Sequence, residues 1–440
     1  MNNKVRVAAA LGALALVSGC GVFKGGKPKT PVVGERVPIL LSENDIVADK
    51  SLAQVEVLLP EAAANESWTQ PGGNAAKSMG HLALGQNLTR VWTKSVAKTS
   101  NREPLAASPV IDGNKLFVID THGVVQALAA DTGASLWTAN TVKDDGNKTA
   151  RFGGGVSVQG DRVFAANGLG DIVALNTADG TEIWRRRPGA PLRGAPTLAN
   201  GNVYIITQDN QLFALTQDAG EIAWSASASL ESQGVFGVAA PASANGTVIA
   251  GFSSGELNAY RYENGRSLWA EVLSRSSIST SVSSLSDIDA EPVIDQGRAY
   301  AVGQGGRMVA IDVASGQRMW EQNIAGISTP WAAGEWLFVV TDDARLLAIS
   351  RGSGKVRWIS QLKHFRNEKK SKGLYGWVGP VLAGGRLLLA NTEGELVSVS
   401  PADGSVLSTI EVKSPVSLQP VVANNMLYIL DEKGNLSAYK

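Results

Sequence analysis

The sequence predicts an all-β fold: an eight-bladed β-propeller of four-stranded antiparallel blades, its ring closed by pairing of the N- and C-terminal strands. Three observations predict it. The tract Gly-x-x-x-Trp recurs at Gly133…Trp137, Gly180…Trp184, Gly220…Trp224, Gly265…Trp269, Gly316…Trp320 and Gly354…Trp358, with a shortened, degenerate copy at Gly404…Leu407. Successive Trp lie 38 to 51 residues apart, the period of a four-stranded blade. The chain also holds 48 Gly and 11 Trp and shows little helical periodicity, which suits many short strands joined by tight turns.

Each unit reads alike inside. In the third, Ala195-Pro196 opens the innermost strand, where a residue without an N–H costs no ladder bond. Gly201-Asn202 turns the chain, and Val203-Tyr204-Ile205-Ile206 is the next strand. Asp209-Asn210 turns again into Leu212-Phe213-Ala214-Leu215, and Asp218-Ala219-Gly220 leads into the outer strand that ends at Trp224. The opening Pro recurs at Pro109, Pro241, Pro292, Pro330, Pro380 and Pro420, whereas the second unit has Gly155-Val156. The eighth unit stops at Lys440, one strand short, and Leu88-Thr89-Arg90-Val91-Trp92 reads as the missing strand, so the termini close the ring and leave no open sheet edge between them. Residues 88–440 then give about 44 residues per blade. The repeated Trp are expected to pack between blades, each contributing about 2–3 kcal/mol by burial.

Ahead of the repeats, Lys4 and Arg6 precede an apolar run from Val7 to Val17, and Leu16-Val17-Ser18-Gly19 leads into Cys20, the sole cysteine. This is the layout of a secretory signal, and with the cysteine it resembles a bacterial lipobox. The expected organisation is a signal peptide at 1–19, a lipidated tether with an irregular segment at 20–87, and the propeller at 88–440. Cys20 is the expected lipidation site, and Gly21 after it leans toward the outer membrane. Loss of Lys4 and Arg6 leaves 38 basic against 40 acidic residues, without the basic excess that nucleic acid requires. No later apolar run approaches the roughly 20 residues of a membrane-spanning helix.

No catalytic constellation emerges. Gly251-Phe252-Ser253-Ser254-Gly255 matches a nucleophile-elbow pattern but falls at an intra-blade hairpin, and the three histidines, His81, His122 and His364, have no triad context. Gly168-Leu169-Gly170 is another hairpin, and no Cys/His metal spacing occurs. Lys363-His364-Phe365-Arg366-Asn367-Glu368-Lys369-Lys370 reads as a basic loop with an aromatic, either simply solvated or in contact with anionic lipid or a partner. The repeats resemble those of quinoprotein dehydrogenases, but the vicinal cysteine pair of such alcohol dehydrogenases is missing. Neither an enzyme nor a metal or cofactor is expected.

A propeller without catalytic groups serves as a platform. Two loops joining an outer strand to the next inner strand stand out, and topology puts them on one face. One holds Arg185-Arg186-Arg187 and Leu192-Arg193-Gly194, read as exposed; the other ends in Leu285-Ser286-Asp287-Ile288-Asp289. An apolar anchor beside an arginine is a common hot spot. A lipobox followed by eight such repeats resembles the BamB family, lipoprotein propellers of the outer-membrane β-barrel assembly machinery. The likeness is strongest at Leu192-Arg193-Gly194 and in the tract from Leu285 to Val293. It implies a non-enzymatic, periplasm-facing scaffold bound to the POTRA repeats of a BamA-type barrel protein, with other assembly subunits and possible contact with nascent outer-membrane proteins. Leu192 would be the apolar anchor, Arg193 the ionic contact, and Asp287 and Asp289 would shape or join that surface. Ala190 stands where the family often has another Leu. The alternative is a lipid-tethered sensor, or a lipid-tethered propeller that binds a ligand in its funnel or is quinoprotein-like.

Overall fold

The computed structural model describes residues 46–96, 105–143, 153–230, 239–273 and 287–440. Eight sheets make the ring, each an antiparallel meander running outward from the central channel. The innermost strands are, for blades 1 to 8, Val110–Asp112, Gly154–Gln159, Thr197–Ala199, Ala242–Ala244, Val293–Asp295, Trp331–Ala333, Trp377–Ala383 and Val421–Ala423. Blade 8 takes its outer strand, Arg90–Ser95, from the other end of the chain, paired with Asn435–Tyr439. The expected closure is therefore observed, and Thr89 and Lys440 exchange both backbone hydrogen bonds at 2.8 and 2.9 Å.

The recurrent Gly and Trp form one device. The indole of Trp92 lies over Gly133, Trp137 over Gly180, Trp184 over Gly220, Trp224 over Gly265, Trp269 over Gly316, Trp320 over Gly354 and Trp358 over Gly404; a Cβ at any of these glycines would stand 2.5–2.7 Å from the ring or its Cβ. The same indole N–H groups donate to a carbonyl of the next blade, from Trp92 to Ala130 at 3.1 Å through Trp358 to Pro401 at 3.0 Å. The glycine of each unit is thus the seat for the tryptophan of the preceding blade. Blade 7 keeps its seat, Gly404, but the register corrects the shortened copy read from the sequence: Ser408, opposite Ser398, stands at the Trp position, and Leu407 is the exposed, bulged residue before it. In blade 8 no glycine-bearing turn joins Asn435–Tyr439 to its outer neighbour Arg90–Ser95, so a Trp in blade 7 would have no glycine seat there.

Residues 46–87, expected as an irregular lead-in, contain one 3-10 turn, Lys50–Leu52, and one two-residue strand, Ser67–Trp68. They are nevertheless integral to the ring. The chain first crosses blade 6, where the Asp49 N–H donates to Val356 O at 2.7 Å and Arg357 Nε to Val55 O at 2.8 Å. From Asn65 to Leu82 it then winds once around the channel and bonds every innermost strand in ring order. Asn65 receives Asn424 N–H, Ser67–Trp68 pair with Ile111 and Asp112, and Thr69 O receives Val158 N–H. Gln70 brackets Leu198 with both side-chain ends, Ala75 O receives Ser243 N–H and Ala76 O receives Ile294 N–H. Gly80 O receives the Trp331 indole at 2.7 Å, and Leu82 exchanges bonds with Leu382 and Gly384. An innermost strand presents an unpaired edge to the channel, and this segment satisfies groups that would otherwise lack partners.

Candidate functional site

The winding segment closes the channel near the turns between first and second strands. Among the described residues, the opposite end, where loops from outer to inner strands emerge, holds a funnel of about 140 Å³. Trp68, Gln70, Pro71 and Gly72 form its floor, and Ser108, Asp289, Glu291, Ser328, Thr329 and Gln419 are among its wall residues. Gly72 sits at φ 67°, and a Cβ there would lie 2.8 Å from Lys77 Cδ and 2.9 Å from Glu291 Oε2, so glycine is required beneath this charged pair. Lys77 is buried and donates to Thr197 Oγ1 at 3.1 Å. Burial lowers its pKa to about 8 against the opposing pull of Glu291, whose own pKa burial raises.

The loop residues singled out from the sequence lie at the mouth of this funnel, but they point inward. Leu192, Arg193 and Asp287 expose only 0, 4 and 1% of their surfaces. The expectation of an exposed Leu and Arg is corrected: Leu192 packs between blades 2 and 3 against residues such as Phe164, Ile172 and Phe213. Its backbone bridges Thr207, while Arg193 N–H donates to Ile206 O and Arg193 O accepts from Gly154 N–H. With its main chain fixed on both sides, Arg193 reaches across to the other loop, donating from Nη2 to Asp287 Oδ1 at 2.8 Å and to Asp289 Oδ1 at 3.3 Å.

The partner loop is held as firmly. Ile288 is fully buried beside Gly251, where a Cβ would clash at 2.5 Å, and its N–H donates to Phe252 O. Gln304 donates from its amide to Asp289 Oδ2 at 2.8 Å and from its backbone to Asp287 O at 3.0 Å. Two carboxylates therefore share one guanidinium in a desolvated setting. Burial and the neighbouring Asp287 push the Asp289 carboxyl up to about 7, although Arg193 opposes the shift. This ionic brace ties the loop between blades 2 and 3 to the loop between blades 4 and 5.

The arginine run is anchored too. Arg187 makes two bonds to Asp171, at 2.8 and 3.0 Å, and Arg185 pairs with Glu182 at 2.8 Å. Ser253 lies in the hairpin between Thr247–Gly251 and Glu256–Arg261 and donates to Asn210 at 2.8 Å, so no nucleophile elbow forms there. His81 is fixed between Pro60 O and Gly385 N–H. No group of three His, Cys, Asp or Glu suited to a metal occurs among the described residues. Cys20, Leu285 and Ser286 lie outside the described residues. Sequence reasoning missed Lys77, Gln304 and the funnel floor; Glu291 lay beside a quoted tract, whereas Lys77 carried no signal.

A closed-bottomed propeller with braced mouth loops belongs to the class of β-propeller binding platforms. The family described as Outer membrane protein assembly factor BamB matches residues 121–360 and 363–440. Among similar proteins are factors of that name from Salmonella typhimurium, 31% identical over 80% of this chain and 88% of the relative, and from Escherichia coli, 29% identical over 79% and 88%. The crystal structure of BamB from Moraxella catarrhalis superposes with a TM-score of 0.65 at 19% identity, covering 80% of this chain and 98% of that one. A quinohemoprotein alcohol dehydrogenase from Comamonas testosteroni has the same TM-score at 14% identity, covering 86% and 81%, which shows the shared fold alone. The chain belongs to the BamB family of outer-membrane protein assembly factors, which are not enzymes.

Proposed function

We propose that the chain is a lipid-anchored, periplasm-facing scaffold of the β-barrel assembly complex, and that its loop face receives the POTRA region of the barrel subunit. The observation that carries the reading is the brace from Arg193 to Asp287 and Asp289. It joins two loops 94 residues apart into one pre-ordered surface, which lowers the entropy lost on docking. In this reading Arg193, Asp287 and Asp289 position the surface from beneath, and Leu192 fixes the loop to the ring instead of inserting into the partner. Cys20 supplies the anchor, and its several acyl chains give stable attachment where one would not. The outer strands each carry a bulge just before the Trp position, as at Glu182/Trp184 and at Arg90/Trp92. Bulges blunt an edge for strand addition, so the loop face is favoured over the rim as the docking surface.

The test is affinity purification of the tethered protein in mild detergent, with partners identified by mass. The barrel subunit should co-purify, and Arg193→Ala should reduce its recovery while unfolding stays cooperative. A barrel subunit absent from the eluate, or recovered equally with the folded variant, overturns the docking assignment. Intact-mass measurement of the purified chain should show acyl groups that Cys20→Ala removes, and a parent chain without them would overturn the anchor.

A further inference from the structure

The basic segment read from the sequence as a loop has more structure than that. Between the outer strand of blade 6 and the inner strand of blade 7, Phe365–Asn367 and Lys372–Leu374 pair as a small hairpin capped by the 3-10 turn Glu368–Lys370. It projects from the loop face, half a turn of the ring away from the Arg193 loop.

Its base is clamped. Lys363 pairs with Glu395 at 2.7 Å and lies 5.9 Å from the Tyr375 ring centroid, Arg366 pairs with Glu393, and the Trp377 indole donates to Lys363 O at 2.9 Å. Its tip is bare. Every residue from 366 to 374 is exposed, and Lys369, Lys370 and Lys372 make no ion pair among the described residues. Phe365 and Leu374 stand opposite each other, and two positions along on the same face Asn367 opposes Lys372. Leu374 is 64% exposed and Phe365 is half-buried beside the His364 ring, so this face carries an apolar pair, one member of it open to solvent, bordered by three lysines without ion pairs among the described residues.

The geometry points to this hairpin as a contact for an anionic lipid surface. Three lysines around a small apolar pair match a plane of phosphate headgroups over acyl chains. The convex tip lines neither the funnel nor the small cavity between blades 1 and 2, and so offers no groove for an extended acidic peptide. The rigid base holds the lysines together, which spares entropy on binding. The contact is independent of acylation and would fix the tilt of a propeller whose anchor alone leaves it free to rotate.

The test uses the full chain with Cys20→Ser, so that no acyl group contributes. It is co-sedimented with vesicles of equal parts phosphatidylglycerol and phosphatidylcholine, and with vesicles of phosphatidylcholine alone. Binding should require phosphatidylglycerol and weaken steeply between about 0.1 M and about 1 M salt, as the Debye length shrinks from about 10 Å to about 3 Å. Replacing Lys369, Lys370 and Lys372 together by Gln should weaken it on the order of a hundredfold, from about 1 kcal/mol per lysine. Leu374→Ser should weaken it by roughly fivefold through lost apolar contact. Both variants should melt with the parent, because the positions are exposed. Equal binding to both vesicle types, or a triple variant that binds like the parent, overturns the assignment. Absent vesicle binding with loss of a co-purifying acidic protein from the triple variant also overturns it, and assigns the tip to a protein instead.

Discussion

The two ends of the central channel are built from different material. One end is closed by residues 65–82, which bond each innermost strand in turn. The other is an open funnel ringed by loops, two of which are braced by Arg193, Asp287 and Asp289. The closed end is held mainly by backbone bonds and apolar burial, with Lys77 near Glu291 and with Ser78 donating to Asp295, which pairs with Arg351. The open end places its charges at the mouth, where a partner would approach. The contrast shows how a symmetric ring acquires a front and a back: the chain fills one end of the axis with its own residues and not the other.

Substitutions can break or sharpen this contrast. The largest effect is expected at the closed end. Trp68 is fully buried and stacks on Trp331 at 6.1 Å, so Trp68→Ala should cost about 3–5 kcal/mol in urea unfolding. Arg193→Ala should cost about 3 kcal/mol, because it leaves two buried carboxylates without their cation. Asp289 can relieve part of that loss by keeping its proton, which places the effect at the low end of the range for broken buried pairs.

The third effect is a pH dependence carried by Asp289 at the open end. Asp289 releases its proton near pH 7 in the folded ring, against 3.8 in an unperturbed chain. Folding therefore takes up a proton between those values. The stabilisation is complete below about pH 4 and is lost as pH rises through 7, with a slope of at most about 1.4 kcal/mol per pH unit. Asp289→Asn should flatten that part of the stability curve, whereas an unchanged slope would show that Asp289 is not the titrating group. The smallest effect is expected far from both ends. Leu136 is half exposed at the bulge of an outer strand, and Leu136→Ser should change stability by less than about 0.5 kcal/mol.

The blades were legible because each is a local unit repeated in sequence, with turns, alternation and a Gly-x-x-x-Trp tract at fixed places. Even the irregular seventh unit obeys that logic once Trp and Gly are seen as parts of neighbouring blades. The closing segment was not legible. Each of its residues meets a different blade, so it follows no strand period and shares no pattern with the repeats. Lys77 is buried only because the ring encloses it. At the mouth, the two loops meet on one face as expected, but their side chains turn inward. Exposure of a loop residue depends on partners distant in sequence, and Arg193 meets Asp287 across 94 residues. The opposite charges of the two loops were themselves the available signal, since a cation and two carboxylates held near one face tend to satisfy one another before solvent does.

The tryptophan seats carry a consequence for how the ring yields. Seven of its junctions are latched by an indole from one blade locked over a glycine of the next. The junction between blades 7 and 8 has no such latch, and it adjoins the sheet in which the two ends of the polypeptide meet. Under mechanical load this seam is the expected place for the circle to part first, and a covalent link between Thr89 and Lys440, which lies inside blade 8, would leave that seam unlatched.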